Sequence, residues 1–445
     1  MSISVRGISN NLGIDGRFNF NFKRLFDPSY HKRLDFVYHY TPLYRKDYIV
    51  VLYLGYKMKI GILHDTLNPA GGAEMFCFNV MKALKERDHE VLLATIEKTD
   101  WPKLETIMPE CPRPDAEIPL IDTTHLPFQP ELSLLEPMVL RRLANQCDII
   151  IQTHCGIMPI GDILVFNDLP PASVLNDALT EGNSNSGTFK FLRRVYSRPY
   201  ALIYKHLMSK VPDDRIFTVS KFISTVVYNT VHKNPITIYP AISTEVFTKV
   251  RDSRKKDGSV LVCGRFSEEK NFDLVLDVAS RIPDVRFSIV GTVTNGSSRN
   301  YYMKIKNRVE SERITNIDLA TNLPFQTLLK YFETADIIFS ARINEPLGAS
   351  VIEGMAAGLV PIVHRSGGPW LDSVGTEEKF GYSYCTVEAA AGAIQHVIRD
   401  DYLRSTIAKR NVSRVQMFSK TEFGKRFSSE VERIASAKDW KRHGT

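Results

Sequence analysis

The chain has 445 residues, of which 43% are hydrophobic and 24% charged. This length and balance are typical of a soluble globular protein with enough apolar residues for two cores. The formal net charge is +7, but nine basic and four acidic residues in the first 57 positions account for +5 of it. Because the remainder is nearly neutral, we do not expect nucleic acid as a partner.

The six cysteines are scattered without close pairing, which argues against a disulfide framework or a zinc site and suits a reducing cytoplasm. The apolar run near the start, Tyr48–Tyr56, is far shorter than the roughly 20 residues that a membrane-spanning helix needs. We therefore expect a cytoplasmic protein without a signal peptide or a spanning segment.

The character of the sequence changes at Met58, where MKIGILHD is typical of the first strand of a Rossmann-like domain. Residues 1–57 are expected to form an N-terminal extension, and two interpretations are open. The extension is either a poorly ordered leader, with Met58 as a candidate natural start, or its aromatic and basic residues contact a membrane.

From Met58 onward, apolar runs of strand length alternate with amphipathic helical stretches, which predicts an α/β fold with parallel sheets covered by helices. The alternation pauses at a polar passage and then restarts at SVLVCGR. We therefore predict two Rossmann-like domains whose strands end at a shared cleft. Their expected bounds are 58–242 and 258–420, with a linker at 243–257 and a C-terminal helix and tail at 421–445.

Gly71 and Gly72 lie in a short loop between the first strand and the helix that follows it. Glycines allow close backbone approach to a ligand, and a helix start offers unpaired N–H groups to an anion. The loop lacks the GxGxxG fingerprint of dinucleotide-binding proteins. A loop that needs glycine only for its turn is an equally good interpretation.

Arg265 and Lys270 lie just past the strand of VLVCGRFSEEKNFD. Two cations on one short loop can hold a diphosphate, the arginine by its planar fork and the lysine as a point charge. Glu268 and Glu269 lie beside them, so a solvated charge cluster is the alternative.

The stretch NEPLGASVIEGMAAG contains Glu345 in a loop and Glu353 inside a short helix closed by Gly358. The helical rise separates the two carboxylates by roughly 10 Å, too far for one proton or one metal ion. They are better suited to opposite ends of an extended ligand. The apolar neighbours of Glu353 predict a buried position, where a carboxylate needs a partner such as a ligand hydroxyl.

Together these stretches resemble the retaining glycosyltransferases of the GT-B fold, in the large family with a Glu-x7-Glu motif (glycosyltransferase family 4). Four segments carry the resemblance, namely GGAE, GRFSEEKN, EPLGASVIEGMAAG and HRSGGPWLD, and it spans residues 58 to about 435. The stretch MAAGLVPIVHRSGGPWLDSV is most similar to mannosyltransferases that extend the dolichol-linked oligosaccharide on the cytoplasmic face of the endoplasmic reticulum.

The resemblance implies a nucleotide-sugar donor bound mainly by the second domain and an acceptor bound mainly by the first. It implies that Arg265 and Lys270 hold the donor diphosphate, that Glu345 contacts the transferred sugar, and that Glu353 contacts the ribose. The phosphate cradle would be completed by Gly71, Gly72, Pro346, Leu347, Gly348 and Ala349. No metal ion or other cofactor is expected, because the charge on the leaving diphosphate would be stabilised by these residues.

The chain departs from the family pattern at one place. Many members have a His-x-Pro segment whose histidine lies close to the transferred sugar, whereas this chain has VFNDLPP, with Asp168 at that position. His154, at the end of another strand, is a candidate substitute for that histidine, and a purely structural strand-end histidine is the alternative.

Residues 190–210 contain six Lys/Arg, no acid, and three tyrosines at helical spacing, Tyr196, Tyr200 and Tyr204. A basic, aromatic helix of this kind suits an anionic membrane carrying a lipid-linked acceptor. A solvated surface helix is the alternative interpretation.

The leading hypothesis is a metal-independent retaining hexosyltransferase, with mannose favoured, acting on a lipid-linked or glycan acceptor as a peripheral protein of the cytoplasmic membrane face. One rival is a soluble small-glycoside transferase or an epimerase of the same fold. The other rival is a catalytically silent subunit that binds a nucleotide-sugar.

Overall fold

The structure is a computed structural model that describes residues 57–107, 111–124, 135–154, 158–171, 200–252 and 257–443. The chain divides into two compact units, Met1–Leu54 and Gly55–Thr445, and every described residue belongs to the second unit. The extension expected at residues 1–57 therefore lies outside the described residues, apart from its last position.

The first domain is built on a sheet of seven strands in the order β3-β2-β1-β4-β5-β6-β7, and all neighbours run parallel. Most of its strands are buried on both faces, which explains their nearly continuous apolar sequences. The strands are β1 (Lys59–Leu63), β2 (Glu90–Glu97), β3 (Ala116–Ile121), β4 (Ile149–Gln152), β5 (Ile163–Phe166), β6 (Ile216–Thr218) and β7 (Ile236–Thr237).

The second domain has a sheet of six strands in the order β10-β9-β8-β11-β12-β13, again parallel throughout. In each sheet the strand order reverses beside the first strand, at β1/β4 and at β8/β11, and ligands of open α/β sheets bind at such a reversal. The strands are β8 (Val260–Cys263), β9 (Phe287–Gly291), β10 (Ile317–Thr321), β11 (Ile337–Ser340), β12 (Val360–His364) and β13 (Tyr382–Tyr384).

Helices connect the strands and cover the sheets. They are α1 (Gly72–Lys85), α2 (Trp101–Ile107), α3 (Glu136–Ala144), α4 (Lys221–Val231), α5 (Thr244–Asp252), α6 (Phe272–Arg281), α7 (Gly296–Ser311), α8 (Phe325–Thr334), α9 (Ala349–Ala356), α10 (Val387–Arg399), α11 (Asp401–Val415) and α12 (Lys420–His443). Residues 200–210 are also helical. The alternation of strands and helices in both halves confirms the predicted pair of Rossmann-like domains.

The polar passage at 243–257, expected to be a linker with few core residues, contains helix α5. Phe247 and Val250 of this helix are buried in the same apolar cluster as residues of α9, and Phe247 packs against Phe332 of α8. The passage therefore contributes to the core of the second domain. Its two buried apolar residues lie three positions apart, which is one face of a helix within an otherwise polar sequence.

The C-terminal helix α12 returns to the first domain. Its Phe423 and Phe427 are buried and pack edge to face against Phe76 of α1. Ser428 donates a hydrogen bond to the backbone oxygen of Ala83 at 3.1 Å. The chain thus joins the two domains a second time through its last helix.

Polar contacts also connect the two sheets, and most of them converge on Asp372. This residue lies in the π-helical turn Pro369–Val374 and is fully buried. Its Oδ1 accepts hydrogen bonds from the backbone N–H of Lys221 at 3.0 Å and from the Tyr239 hydroxyl at 2.8 Å. A carboxylate of the second domain thereby accepts a hydrogen bond from the first N–H of helix α4. A negative charge at the start of a helix is stabilising.

Tyr239→Phe tests this contact. Removing the hydroxyl leaves the buried Asp372 carboxylate short of a donor, which costs about 1–3 kcal/mol, so we expect a lower urea midpoint of unfolding. Tyr331→Phe is the matched control, because Tyr331 donates to Asp318 at 3.1 Å in an exposed position. Equal midpoints for the two variants would contradict a stabilising role for the Asp372 contact.

Candidate functional site

The predicted donor-binding residues of the second domain lie at the strand-order reversal. Arg265 follows the end of β8, and Lys270 closes the short 3-10 turn Glu268–Lys270. Glu345 lies in the loop between β11 and α9. Because β8 and β11 are neighbours in the sheet, residues 75 positions apart in sequence meet at one edge.

The Glu345 carboxylate is held between two cations. Its Oε2 lies 2.6 Å from the Nζ of Lys270, and its Oε1 lies 3.2 Å from a guanidinium nitrogen of Arg342. Glu345 is only 8% exposed, and a carboxylate buried to this extent requires such partners. Two of the predicted residues, Lys270 and Glu345, are thus in direct contact.

Arg342 was missed by sequence reasoning. A basic residue three positions before a loop glutamate is a weak signal, because the pair meets only if the loop folds back on itself. The third cation, Arg265, contacts Glu269 at 2.7 Å and is more than half exposed. Arg265, Lys270 and Arg342 thus place three cations at this edge, where they can bind a diphosphate.

The loop that carries Glu345 is fixed by backbone contacts to the end of β12. Gly368 N–H donates to the Glu345 carbonyl at 2.8 Å, and Asn344 N–H donates to Ser366 Oγ at 2.9 Å. Gly367 has φ of +76°, and a Cβ there would lie 2.5 Å from the Glu345 carbonyl oxygen. A side chain at this position would therefore displace the Glu345 backbone.

The residues after Glu345 form the start of helix α9. Gly348 occupies the N-cap position in a left-handed conformation with φ of +79°, and Ala349 is the first helical residue. Leu347 is buried. The short helix predicted over SVIEGMAAG is thus found as Ala349–Ala356, and its first amides follow the loop that Pro346 and Glu345 define.

Glu353 is half-buried in helix α9, on the side next to β8. Ser350, one turn earlier, donates to the Cys263 carbonyl at the end of β8. Burial raises the pKa of Glu353 to about 7. Among the residues that the structure describes, its carboxylate has no hydrogen-bond or ion-pair partner, so it is available to a ligand.

In the first domain, Gly71 is the N-cap of α1 and Gly72 its first residue. The Gly71 N–H already donates to Glu74 Oε2 at 2.6 Å, whereas the space around the Cα of Gly72 is open. The two glycines therefore differ, since the amide of Gly71 has a protein partner and the Gly72 position allows a ligand to approach.

Asp168 and His154 lie at the same sheet edge as this loop. His154 follows β4, and its Nδ1 is 3.5 Å from Asp65 Oδ2, just after β1. Asp168 follows β5, is exposed, and accepts a hydrogen bond from the Leu169 N–H at 2.7 Å. Burial alone would lower the pKa of His154, but the hydrogen bond and charge of Asp65 raise it.

The two sheet edges meet at Ser220. This residue caps helix α4 by accepting from the Ile223 N–H at 3.1 Å, and its hydroxyl donates to the Pro346 carbonyl at 2.6 Å. Ser220 lies just beyond the end of β6. The carboxyl edge of the first sheet therefore touches the residue next to Glu345.

Part of the basic stretch at 190–210 lies outside the described residues, including Tyr196. In the described part, Tyr204 is fully buried and Tyr200 packs against the core of the first domain. Tyr200 and Tyr204 therefore belong to the buried face of this helix, and membrane contact by the stretch stays a prediction. The outer face carries Leu202 and Ile203, which are 71% and 54% exposed.

Within the described ranges, no three His, Cys, Asp or Glu side chains are grouped so as to hold a metal ion. The cysteines at 77, 111, 147, 263 and 385 are free. No helix in the described part of the chain is both long and apolar enough to cross a membrane.

Residues 243–414 match the sequence family described as "Glycosyl transferases group 1". Relatives named GDP-Man:Man(3)GlcNAc(2)-PP-Dol alpha-1,2-mannosyltransferase are 28% identical in Homo sapiens and 26% identical in Xenopus laevis. Each alignment covers 44% of this chain and 43% of the relative. The chain therefore spans less than half the length of the curated relatives it matches.

Two solved structures share the architecture. Sucrose-phosphate synthase from Thermosynechococcus elongatus aligns over 86% of this chain and 100% of its own, with a TM-score of 0.66 and 16% identity. Anabaena Alr3699/HepE in complex with UDP and glucose aligns over 84% of this chain and 99% of its own, with a TM-score of 0.58 and 16% identity. The GT-B prediction is confirmed.

The chain has the GT-B fold, and residues 243–414 are similar to the family described as "Glycosyl transferases group 1". The matched residues include Arg265, Lys270, Glu345 and Glu353. Their assignment to particular parts of a donor stays a prediction.

The pKa of Glu353 yields a test of its burial. An unfolded glutamate titrates near ~4.3, whereas folded Glu353 titrates at about 7. Between these values the folded state holds a proton that the unfolded state has lost, so Glu353 contributes less stability as pH rises. We expect the unfolding free energy of Glu353→Gln to exceed that of wild type at pH 8 by roughly 3–4 kcal/mol, and to match it near pH 4.5.

The measurement is urea unfolding of both proteins across this pH range. Glu310→Gln is the control, because Glu310 is an exposed helical glutamate and its replacement should be neutral at both pH values. A pH-independent difference between Glu353→Gln and wild type would contradict the raised pKa.

Proposed function

We propose that this protein is a retaining glycosyltransferase that moves mannose from GDP-mannose to a lipid-linked glycan. The observation that carries the proposal is the Glu345 carboxylate held between Lys270 and Arg342 inside the region that matches group 1 glycosyltransferases. The names of the relatives support the choice of mannose, of a guanosine diphosphate donor and of a dolichol-linked acceptor.

In the proposed reaction, the bond between the sugar C1 and the β-phosphate oxygen breaks, and the acceptor hydroxyl oxygen bonds to the same face of C1. The acceptor proton passes to the departing phosphate oxygen, so no covalent intermediate on Glu345 is required. Lys270, Arg265 and the start of α9 stabilise the negative charge of the leaving diphosphate. Glu345 contacts the transferred sugar, and Glu353 accepts hydrogen bonds from the ribose hydroxyls.

The proposal includes catalysis without a metal ion. Three cations at the edge of the second sheet are available for the charge that a divalent ion would otherwise neutralise. Transfer in the presence of EDTA should equal transfer with added magnesium.

The donor role is tested by melting temperature and by transfer. GDP-mannose should raise the melting temperature of the full chain more than UDP-glucose or ADP-glucose, because a ligand that binds only the folded state stabilises it. Lys270→Met should lower kcat/KM by ~10²–10³-fold, the usual loss when a group that stabilises a developing charge is removed. The product anomer, assigned by NMR, should keep the α configuration of the donor.

Lys304→Met is the matched control, since Lys304 forms an ion pair with Asp273 away from this edge and its loss should leave transfer unchanged. If no nucleotide-sugar stabilises the protein, the donor site is disproved. Stabilisation by a donor without any transfer would instead support the rival function of a silent nucleotide-sugar-binding subunit.

A peripheral membrane contact is the second part of the proposal. Leu202 and Ile203 protrude from the helical segment 200–210, and the exposed Lys205 and Lys210 flank them. Exposed aliphatic side chains beside lysines suit the interface of an anionic bilayer. A lipid-linked acceptor would be reached from such a surface.

Flotation with phosphatidylcholine vesicles, with and without phosphatidylserine, tests this contact. The full chain should float with the anionic vesicles, and Leu202→Ser combined with Ile203→Ser should reduce the floated fraction severalfold, since ~0.8 kcal/mol is lost per buried CH₂. Tyr402→Ser is the control, because Tyr402 is 83% exposed in the second domain. Equal flotation of all variants would favour a soluble small-glycoside transferase or a contact elsewhere.

A further inference from the structure

A line of polar side chains connects the interior of the first sheet with its carboxyl edge. Glu136, on α3, is 1% exposed and accepts a hydrogen bond from the Gln152 side chain at 2.7 Å. Asp65 Oδ2 lies 3.5 Å from His154 Nδ1, and Asp65 also interacts with Glu136. The order from inside to outside is therefore Gln152, Glu136, Asp65 and His154.

Glu136 and Asp65 share one negative charge. Two carboxyl groups in contact do not both ionise in a buried site. Burial, together with the contact to Asp65, raises the pKa of Glu136 to about 11. Burial would also raise the pKa of Asp65, but its hydrogen bonds to His154 and Glu136 hold it below the usual range. Glu136 is thus the neutral acid that donates to Asp65, and Asp65 is the anion that faces His154.

The outer end of the line is the His154 imidazole. Its Nδ1 faces Asp65 at 3.5 Å, and its side chain is 37% exposed. Within the described ranges Nε2 has no hydrogen-bond partner. The charged and titratable groups around the ring are Asp65, Glu74 and Asp168, with the His64 ring at 5.9 Å.

The position of His154 places this nitrogen near the proposed donor site. His154 follows β4, and Ser220, which touches Pro346, follows β6. One strand, β5, lies between them, and neighbouring strands are about 4.8 Å apart. The imidazole is therefore roughly 10 Å along the sheet edge from the residue next to Glu345, which is about the length of two linked sugar rings.

The charged groups around His154, at the carboxyl edge of the first sheet, favour a neutral ligand over an anionic one. Asp65, Glu74 and Asp168 surround a single imidazolium, so a phosphate would meet more negative than positive charge. The cationic edge of the second sheet offers the better site for the donor diphosphate. Sugar hydroxyl groups, which both donate and accept hydrogen bonds, suit a mixture of carboxylates and an imidazole.

We propose that His154 binds a hydroxyl oxygen of the acceptor sugar through Nε2–H, and that Asp65 and Glu136 are positioning residues that fix its Nδ1–H away from the cleft. The inference rests on the proposed function for the identity of the acceptor. Glu136 acts only through Asp65, and Asp65 acts only through His154.

The positioning roles are tested in the ligand-free chain by NMR titration of ¹³C-labelled histidines, with His154→Gln assigning the resonance. The pH midpoint of the His154 titration should lie above ~6.5, the pKa of a free imidazole. Asp65→Asn should lower it by about 1 pH unit or more. Glu136→Gln should leave it unchanged, because the amide accepts from Gln152 and donates to Asp65 as the neutral acid does.

Asp318→Asn, in the second domain, is the control for Asp65→Asn and should not move the midpoint. A wild-type midpoint at or below ~6.5 overturns the inference without any variant, which matters if Asp65→Asn fails to fold. The inference is also overturned if Glu136→Gln lowers the pH midpoint of the His154 titration as much as Asp65→Asn does, because Glu136 would then be a second anion.

The ligand is tested in the same spectra with free Man(3)GlcNAc(2) oligosaccharide and with GDP. The oligosaccharide should shift the His154 resonance and GDP should not, and His154→Gln should raise the acceptor KM about tenfold, the equivalent of ~1.4 kcal/mol, with the donor KM unchanged. A shift by GDP alone, or by neither ligand, overturns the inference.

The two proposals fail in distinguishable ways. If no donor stabilises the protein and no transfer occurs, the proposed function fails. If transfer occurs and His154→Gln leaves the acceptor KM unchanged, only the acceptor role of His154 fails.

Discussion

The Glu345 carboxylate requires two loops to be in place at once. Lys270 arrives from the connection after β8 and Arg342 from the connection after β11, and a carboxylate that is 8% exposed would be costly without either partner. The same loop is tied to the end of β12 through Gly368. Because the loop is fixed from three sides, the carbonyl of its next residue, Pro346, is positioned to accept a hydrogen bond from the Ser220 hydroxyl of the first domain. The ion pairs of one residue therefore fix the loop through which the second domain touches Ser220 of the first.

The two edges of this cleft differ in charge. The edge of the second sheet carries three cations, each paired with a glutamate, whereas the edge of the first sheet has carboxylates around histidines. This asymmetry matches the two partners of the proposed transfer, an anionic leaving diphosphate and a neutral hydroxylated acceptor. Burial raises the pKa of Glu353, so its ionised carboxylate lowers the stability of the ligand-free protein, a cost often found at binding sites.

Much of the second domain was predictable from sequence. The run SVLVCGR, the closing Gly358 and the spacing of Arg265, Lys270 and Glu345 placed these side chains at strand ends, and the structure brings Lys270 and Glu345 into contact. Reasoning from pattern was less successful where a feature had two explanations. The basic, aromatic stretch around Tyr200 and Tyr204 is compatible with a membrane-contacting helix or a solvated one, and the structure shows that these two tyrosines lie on its buried side. Periodicity reveals that a helix has two faces, and only packing shows which of them is covered.

The sequence by itself determined the class of fold, the two repeats of the strand and helix alternation, and the residues of the second-sheet edge, because these depend on short-range pattern and on strand ends. Tertiary structure alone decided the partners of those residues. Arg342 meets Glu345 only when its loop folds back, and Asp65, Glu136 and His154 form one line only because β1, α3 and β4 pack side by side. Hydrogen bonds and charges act over a few ångströms in space, whatever the separation along the chain, and sequence spacing carries no record of that distance.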